Sequence, residues 1–225
     1  MAHYVLRDDL SYCRVGERLV FLDVGKDRYF HLPCPLEQAL TAYLDGAGCS
    51  DTDRSDLIKR SILVEQTDIA AGSRPDAKPA TRSAMEATSQ SRNLRVSELI
   101  EVFVTVLVTR IALKISTLKS ILDGLTADRH AQAARSEPLA EFPERRVWDA
   151  AAAFRRARLY VPIEMRCLLD SIAMARFLLR RRVPTHVVFG IAIDPFSAHC
   201  WVQVDDLVLN DTVGNVASHT PIRVV

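Results

Sequence analysis

Three residues toward the C-terminus have types and an order that could do covalent chemistry: Cys167, His199 and Asp211. Cys167 opens the stretch "CLLDSIAMARFLLRRR", which reads as a helix apolar nearly all round, and such a helix is usually central. The first turn of a helix carries partial positive charge, which stabilises a thiolate, the nucleophilic form of cysteine. His199 lies in "AHCWVQVDDLVLND", a strand-like stretch. From there it could take the thiol proton and return it to a leaving amine. A carboxylate on the next strand could fix the imidazole tautomer and support its charged form. Cysteine acyl-transfer chemistry would suit this arrangement. Cysteine is also among the residues most often buried, and a lone strand histidine usually packs, so type and order leave a packing role open.

Strand alternation bears on which aspartate serves His199. A two-residue turn at Asp205-Asp206 would set His199 opposite Thr212 and point Asp211 to the other face. A longer loop centred on Asp205, or a bulge, would pair Val202 with Val208 and His199 with Asp211. The second register is the expectation. It makes Asp205 and Asp206 turn residues and Asp211 the orienting acid.

The elements that must position these residues begin far upstream. "LSYCRVGERLVFLDVGKDRYFHL" reads as three short strands with a turn at Gly25-Lys26-Asp27. Pro33 and Pro35 stop pairing and can open a helix with Leu36, Ala39, Leu40, Tyr43 and Leu44 on one face and Gly46 beyond its end. Ser50, Asp51, Asp53 and Ser55 are candidate N-caps for a short helix through Arg60, before the strand-like "ILVEQ". Ala70 to Asn93 holds no Leu, Ile, Val or aromatic residue and reads as a flexible linker. The expected domains are therefore 1–70 and 95–225, joined by 71–94.

Beyond it, Leu99 to Leu122 could suggest a membrane span, but only Val102 to Thr109 is uncharged inside it. A buried helix is expected, with Ile100, Phe103, Val104, Leu107, Val108, Ile111, Ile115, Leu118 and Leu122 at helical spacing. "VWDAAAAFRRARLY" gives a second helix with its arginines outward. After the helix that starts at Cys167, "THVVFGIAI", "HCWVQV" and "LVLND" give three strands.

Composition is that of a globular α+β protein, 48% hydrophobic and 25% charged. A net charge of +1 offers no case for nucleic acid or an anionic membrane as partner. The start "MAHYVLRDDL" shows no signal peptide. Five cysteines without a CxxC pair suggest reduced, cytosolic thiols. His31 and Cys34 lack a second ligand pair, and no Gly-rich phosphate loop occurs, so no metal, ATP site or other cofactor is expected.

About Trp148 to Thr212, the chain resembles the B2-type leader peptidases of lasso-peptide biosynthesis, a branch of the transglutaminase-like (papain-like) cysteine peptidase superfamily. The matching features are Cys167 opening a Leu/Ala-rich helix, Arg180 to Arg182 before Pro184, Gly190 ending a strand, Pro195-Phe196, Ala198-His199, Trp201 and Asn210-Asp211. The resemblance implies Cys167 as nucleophile, His199 as base and Asp211 as orienter. It implies hydrolysis of the bond between leader and core of a precursor peptide, and an asparagine-synthetase-like, ATP-dependent macrolactam synthetase as partner.

The first seventy residues resemble the winged-helix, PqqD-like precursor-recognition element, through "ERLVFLDVGKDRYFHL" and the order of elements, with an abbreviated middle helix and a short last one. That implies an extended leader added to the edge strand Arg28, Tyr29, Phe30, His31 and Leu32, with side chains against Leu57 and Ile58. A precursor escort without catalysis, or an acyltransferase of the same superfamily, is the alternative function. Arg155-Arg156 and Arg180 to Arg182 could meet an acidic leader, though such runs are more often solvated faces.

Overall fold

The computed structural model describes residues 4–65, 78–86, 94–135 and 144–225, and the chain divides into two compact units, Met1–Asp76 and Ala77–Val225. In the first, strands β2 (Leu10–Val15), β3 (Arg18–Asp23) and β4 (Arg28–Phe30) form an antiparallel sheet in that order. β1 (Tyr4–Leu6) pairs separately with β5 (Leu63–Glu65), a pairing the sequence reading lacked. Helices α1 (Cys34–Leu44) and α2 (Asp51–Lys59) lie between them in the chain. Pro35 occupies the first turn of α1, and Ser50 caps α2 by accepting the Asp53 N–H at 3.1 Å. Leu19 through Asp23 are all buried, so β3 is covered on both faces and does not alternate.

The second unit is built on a five-stranded sheet, β10-β7-β8-β9-β6. Its strands are β6 (Arg82–Ser83), β7 (His186–Ile193), β8 (Phe196–Val204), β9 (Leu207–Val208) and β10 (Thr220–Val224). Helix α6 (Cys167–Arg180) packs on β7 and β8 and carries α3 (Val96–Ile115), α4 (Leu118–Arg135) and α5 (Glu144–Arg158) on its other sides. Ile172, Ala173, Met174, Phe177 and Leu178 of α6 are fully buried, as its all-round apolarity predicts. α7 (Val213–Ala217) leads into β10, and neither was expected.

Three expectations are corrected. Residues 78–86 fall inside the expected linker, yet they contain β6, which pairs parallel to β9 and buries Ser83 and Ala84. The rest of the expected linker, apart from Leu94 at its end, lies outside the described residues.

The helix expected across Leu99 to Leu122 is two helices, and α3 sits inside out relative to the expectation. Its buried residues are Val102, Thr105, Val106 and Thr109, while Ile100, Phe103, Val104, Leu107, Val108 and Ile111 face outward. The two threonines turn inward because their hydroxyls accept hydrogen bonds from Arg180 and Arg176 of α6, at 2.9 and 3.1 Å. Periodicity picked out the broader apolar stripe, while α6 covers the other side, with Val102, Thr105, Val106 and Thr109. No helix among the described residues is long and apolar enough to cross a membrane.

The last correction is the hairpin register. Gln203 pairs with Val208 and Val204 with Leu207, so the turn is the two-residue Asp205-Asp206, with Asp205 in the left-handed region at φ 50°. The three- or five-residue loop is not formed.

Candidate active site

Cys167 is the first residue of α6, preceded by Arg166 in extended backbone. The N–H groups of a helix's first turn have no intrahelical acceptor, so the thiol stands in a positive field. The approach to it is tied down by Arg158, which is only 4% exposed. Arg158 donates to Asp170 (2.5 Å) and to the carbonyls of Ile163 (2.9 Å) and Glu164 (3.1 Å). Asp170 accepts the Arg166 N–H at 3.0 Å. The outward placement expected for the arginines of this helix fails here. It fails again at Arg155, which donates to the carbonyls of Leu209 and Ala84 at 2.7 Å each.

The side chain of Cys167 is exposed. The neighbouring Cys200 and, after it, His199 bring the thiol down to about 4 against the upward pull of burial. The neighbouring Cys167 and then burial push the Cys200 thiol well up. His199 is held above its ordinary value by Cys167 and then by Asp211, against burial that lowers it. Its Nε2 meets Asp211 Oδ2, leaving Nδ1 as the ring nitrogen for the thiol side. A thiolate–imidazolium pair is the state this arrangement favours.

Asp211 reaches His199 despite the two-residue turn, because the ladder stops early. Leu209 N–H still bonds the Val202 carbonyl at 2.9 Å. At the next position the side chain of Asn210 replaces the backbone and accepts the Val202 N–H at 2.7 Å. The chain then bends and swings Asp211 under the imidazole. The Asn210 amide also donates to Ser171 Oγ (2.9 Å), which donates to the Cys200 carbonyl (3.0 Å). Ser171 lies one turn along α6 from Cys167, so this chain of bonds sets the helix against the strand that carries His199.

Asp211 has further partners that sequence reasoning missed. Its Oδ1 accepts the Thr212 N–H at 2.7 Å, and its Oδ2 accepts from the Asn215 amide at 2.8 Å. Ser83 of β6 donates to its carbonyl at 2.5 Å. His219 lies 5.3 Å from His199 between ring centroids, and Trp201 lies 6.1 Å away. The i, i+4 spacing of Cys167 and Ser171 could have signalled the second of those residues. Asn215 and His219 follow the motif, in elements with no clear sequence pattern.

The structure brings Cys167, His199 and Asp211 together. In the first unit, Arg28, Tyr29 and Phe30 form β4 at an edge of the sheet, with Phe30 stacked on Phe21. His31 Nδ1 lies 3.0 Å from the Leu19 carbonyl, and Ile58 is half-buried. Leu32 and Leu57 are core residues, 4% and 0% exposed.

Residues 105–224, more than half of the chain, match the model described as the transglutaminase-like superfamily, and the chain belongs to that superfamily. It is similar to the microcin J25-processing protein McjB of Escherichia coli, with 42% identity over 45 residues, 20% of this chain and 22% of that protein. The chain thus matches less than a quarter of that relative's length. No solved structure matches.

Proposed function

We propose that this chain is a cysteine peptidase that removes the leader from a ribosomally made lasso-peptide precursor. The observation that carries the reading is the exposed Cys167 thiol, brought down to about 4 beside an imidazole whose far nitrogen meets Asp211. Cys167 attacks the carbonyl at the leader–core junction. His199 gives its proton to the new amine of the core, and water, deprotonated by His199, releases the leader carboxylate from the thioester. Asp211 keeps Nε2 as donor and supports the charged ring. The similarity to a protein named for processing microcin J25 supports a precursor peptide as substrate.

In this reading the first unit, residues 1–70 of the winged-helix resemblance, captures the leader by strand addition along β4, through Arg28, Tyr29, Phe30, His31 and the neighbouring Ile58. Tethering raises the concentration of the scissile bond at Cys167 without tight binding there. The freed core amine is the group an ATP-dependent macrolactam synthetase would join to an acidic side chain.

The test is mass spectrometry of a precursor peptide incubated with the full chain and with Cys167→Ala. Expected are a leader ending in a free carboxylate, a core with a free amine, and no products with the variant. Cleavage that persists in Cys167→Ala would overturn the peptidase reading. A leader joined to an added amine would show acyl transfer in place of hydrolysis.

A further inference from the structure

Helix α3 is apolar on two opposite sides, and only one of them is used. Val102 and Val106 are fully buried, whereas Ile100, Phe103, Val104, Leu107, Val108 and Ile111 are 37–59% exposed. Their spacing is that of one continuous helical stripe, and the helix is 20 residues, about 30 Å, long. Soluble proteins rarely leave a contiguous apolar stripe of that length facing water unless something docks on it.

The edges of the stripe say what. At roughly 100° per residue, Arg110 and Lys114 lie along one edge. Along the other, Val108 and Ala112 border a groove shared with α4 and α6, lined also by Arg176, Arg180 and Arg182. Among the described residues, Arg176 and Arg180 donate to neutral hydroxyls, those of Thr109 and Thr105. Burial and the neighbouring Arg180 hold the Arg176 guanidinium below its ordinary value, though the Asp128 charge counters them. Asp128 lines the same groove, and Glu101 is already held by both nitrogens of Arg181 at 2.6 and 2.7 Å. The stripe therefore has a cationic border on each side.

A second copy of this chain does not fit those borders. Antiparallel two-fold pairing turns each edge toward its own equivalent, and the carboxylates of α3, Glu98 and Glu101, lie away from the Arg110 edge. Parallel pairing turns the Arg110 edge toward the arginine groove, cation against cation. We propose that the outer face of α3 docks an acidic amphipathic helix of a partner protein, its apolar side on Leu107 and its neighbours and its carboxylates on the two arginine-bearing edges. The proposal stands whether or not Cys167 acts as a peptidase nucleophile.

The probe is a pair of synthetic 20-residue helical peptides with the same Leu/Ile face, one flanked by glutamates and one by lysines. Each is titrated with the full chain by fluorescence anisotropy at low and high salt. The acidic peptide should bind at least about 10-fold more tightly than the basic one, and more weakly as salt rises. Leu107→Asn should lose that binding. Arg110→Glu with Lys114→Glu, both at exposed positions and so compatible with the fold, should remove most of the preference. Equal binding of the two peptides, binding of neither, or a preference unmoved by the charge reversal overturns the proposal. So does a chain that sediments as a dimer and becomes a monomer with Leu107→Asn, which would show that a second copy covers the stripe.

Discussion

Gly190 and His199 are direct partners across the β7–β8 ladder, and the glycine leaves room for the histidine's neighbours. A Cβ at Gly190 would fall 2.7 Å from the Trp201 ring and 3.0 Å from the His219 Cβ. The Trp201 ring and the His219 Cβ, both beside His199, occupy space that a glycine leaves open. Gly190→Ala is expected to cost about 1–3 kcal/mol of stability through overpacking. It should also slow Cys167-dependent turnover by displacing the imidazole. Urea unfolding and the rate of precursor cleavage measure the two effects separately.

The thiol pair gives a pH prediction with a definite sign. A group brought down to about 4 is already thiolate at pH 5, where an ordinary thiol is almost wholly protonated. Alkylation of Cys167 by iodoacetamide should rise through about pH 4 and then stay level. Removing the imidazole in His199→Ala moves the midpoint up, and the rate at pH 5 should fall about 10-fold or more. Peptidase activity, which needs thiolate and imidazolium together, should appear above about pH 4. It should fade as pH rises through the raised value of His199. Alkylation that begins only near pH 8 in the wild type would sink the ion-pair description.

Asn210 offers a separation of stability from ionisation. Its side chain accepts from Val202 and donates to Ser171, so Asn210→Leu leaves a buried N–H and a hydroxyl short of partners. The expected loss is about 1–3 kcal/mol. The Cys167 contacts with His199 and Cys200 do not pass through Asn210, so the alkylation midpoint should stay below 6 in the folded variant. A normal urea midpoint in this variant would show that the network contributes little.

Arg158 is expected to matter for catalysis through position. Arg158→Gln removes a charge that is 4% exposed and leaves the half-buried Asp170 without its cation. Breaking such a pair costs about 3–5 kcal/mol. In low denaturant, Cys167 should then become more accessible to alkylation while cleavage falls, because the turn that presents the thiol loses its anchor. Hydrogen exchange over residues 159–166 would show the loosening directly.

The sequence located the elements that carry Cys167 and His199 well because local pattern and global placement agree there. Cys167 opens α6 as its apolar run predicts, and His199 falls on a strand. It carried the route to Asp211 poorly. Periodicity assumes that a ladder continues, and here a side chain, Asn210, takes over the ladder bond and ends it. α3 shows a different limit: with two apolar faces, the choice of buried side rests on Arg176 and Arg180 reaching Thr109 and Thr105 from another helix. β6 was hidden because two residues paired parallel to β9 have no alternation to detect, and polar neighbours made them read as linker. Arg155 and Arg158 were misplaced because a guanidinium surrounded by carbonyls can be buried where composition alone predicts solvent.

The short strand β6 has a consequence for how this chain could be divided. Its backbone lies beside β9, and Ser83 holds the carbonyl of Asp211, although both precede every helix of the second unit. If evolution or an experimenter split this protein into two genes, the seam would have to fall before Lys78. A break at residue 95 would strand the sheet's edge with the wrong polypeptide, and the resulting halves would work only by complementing each other.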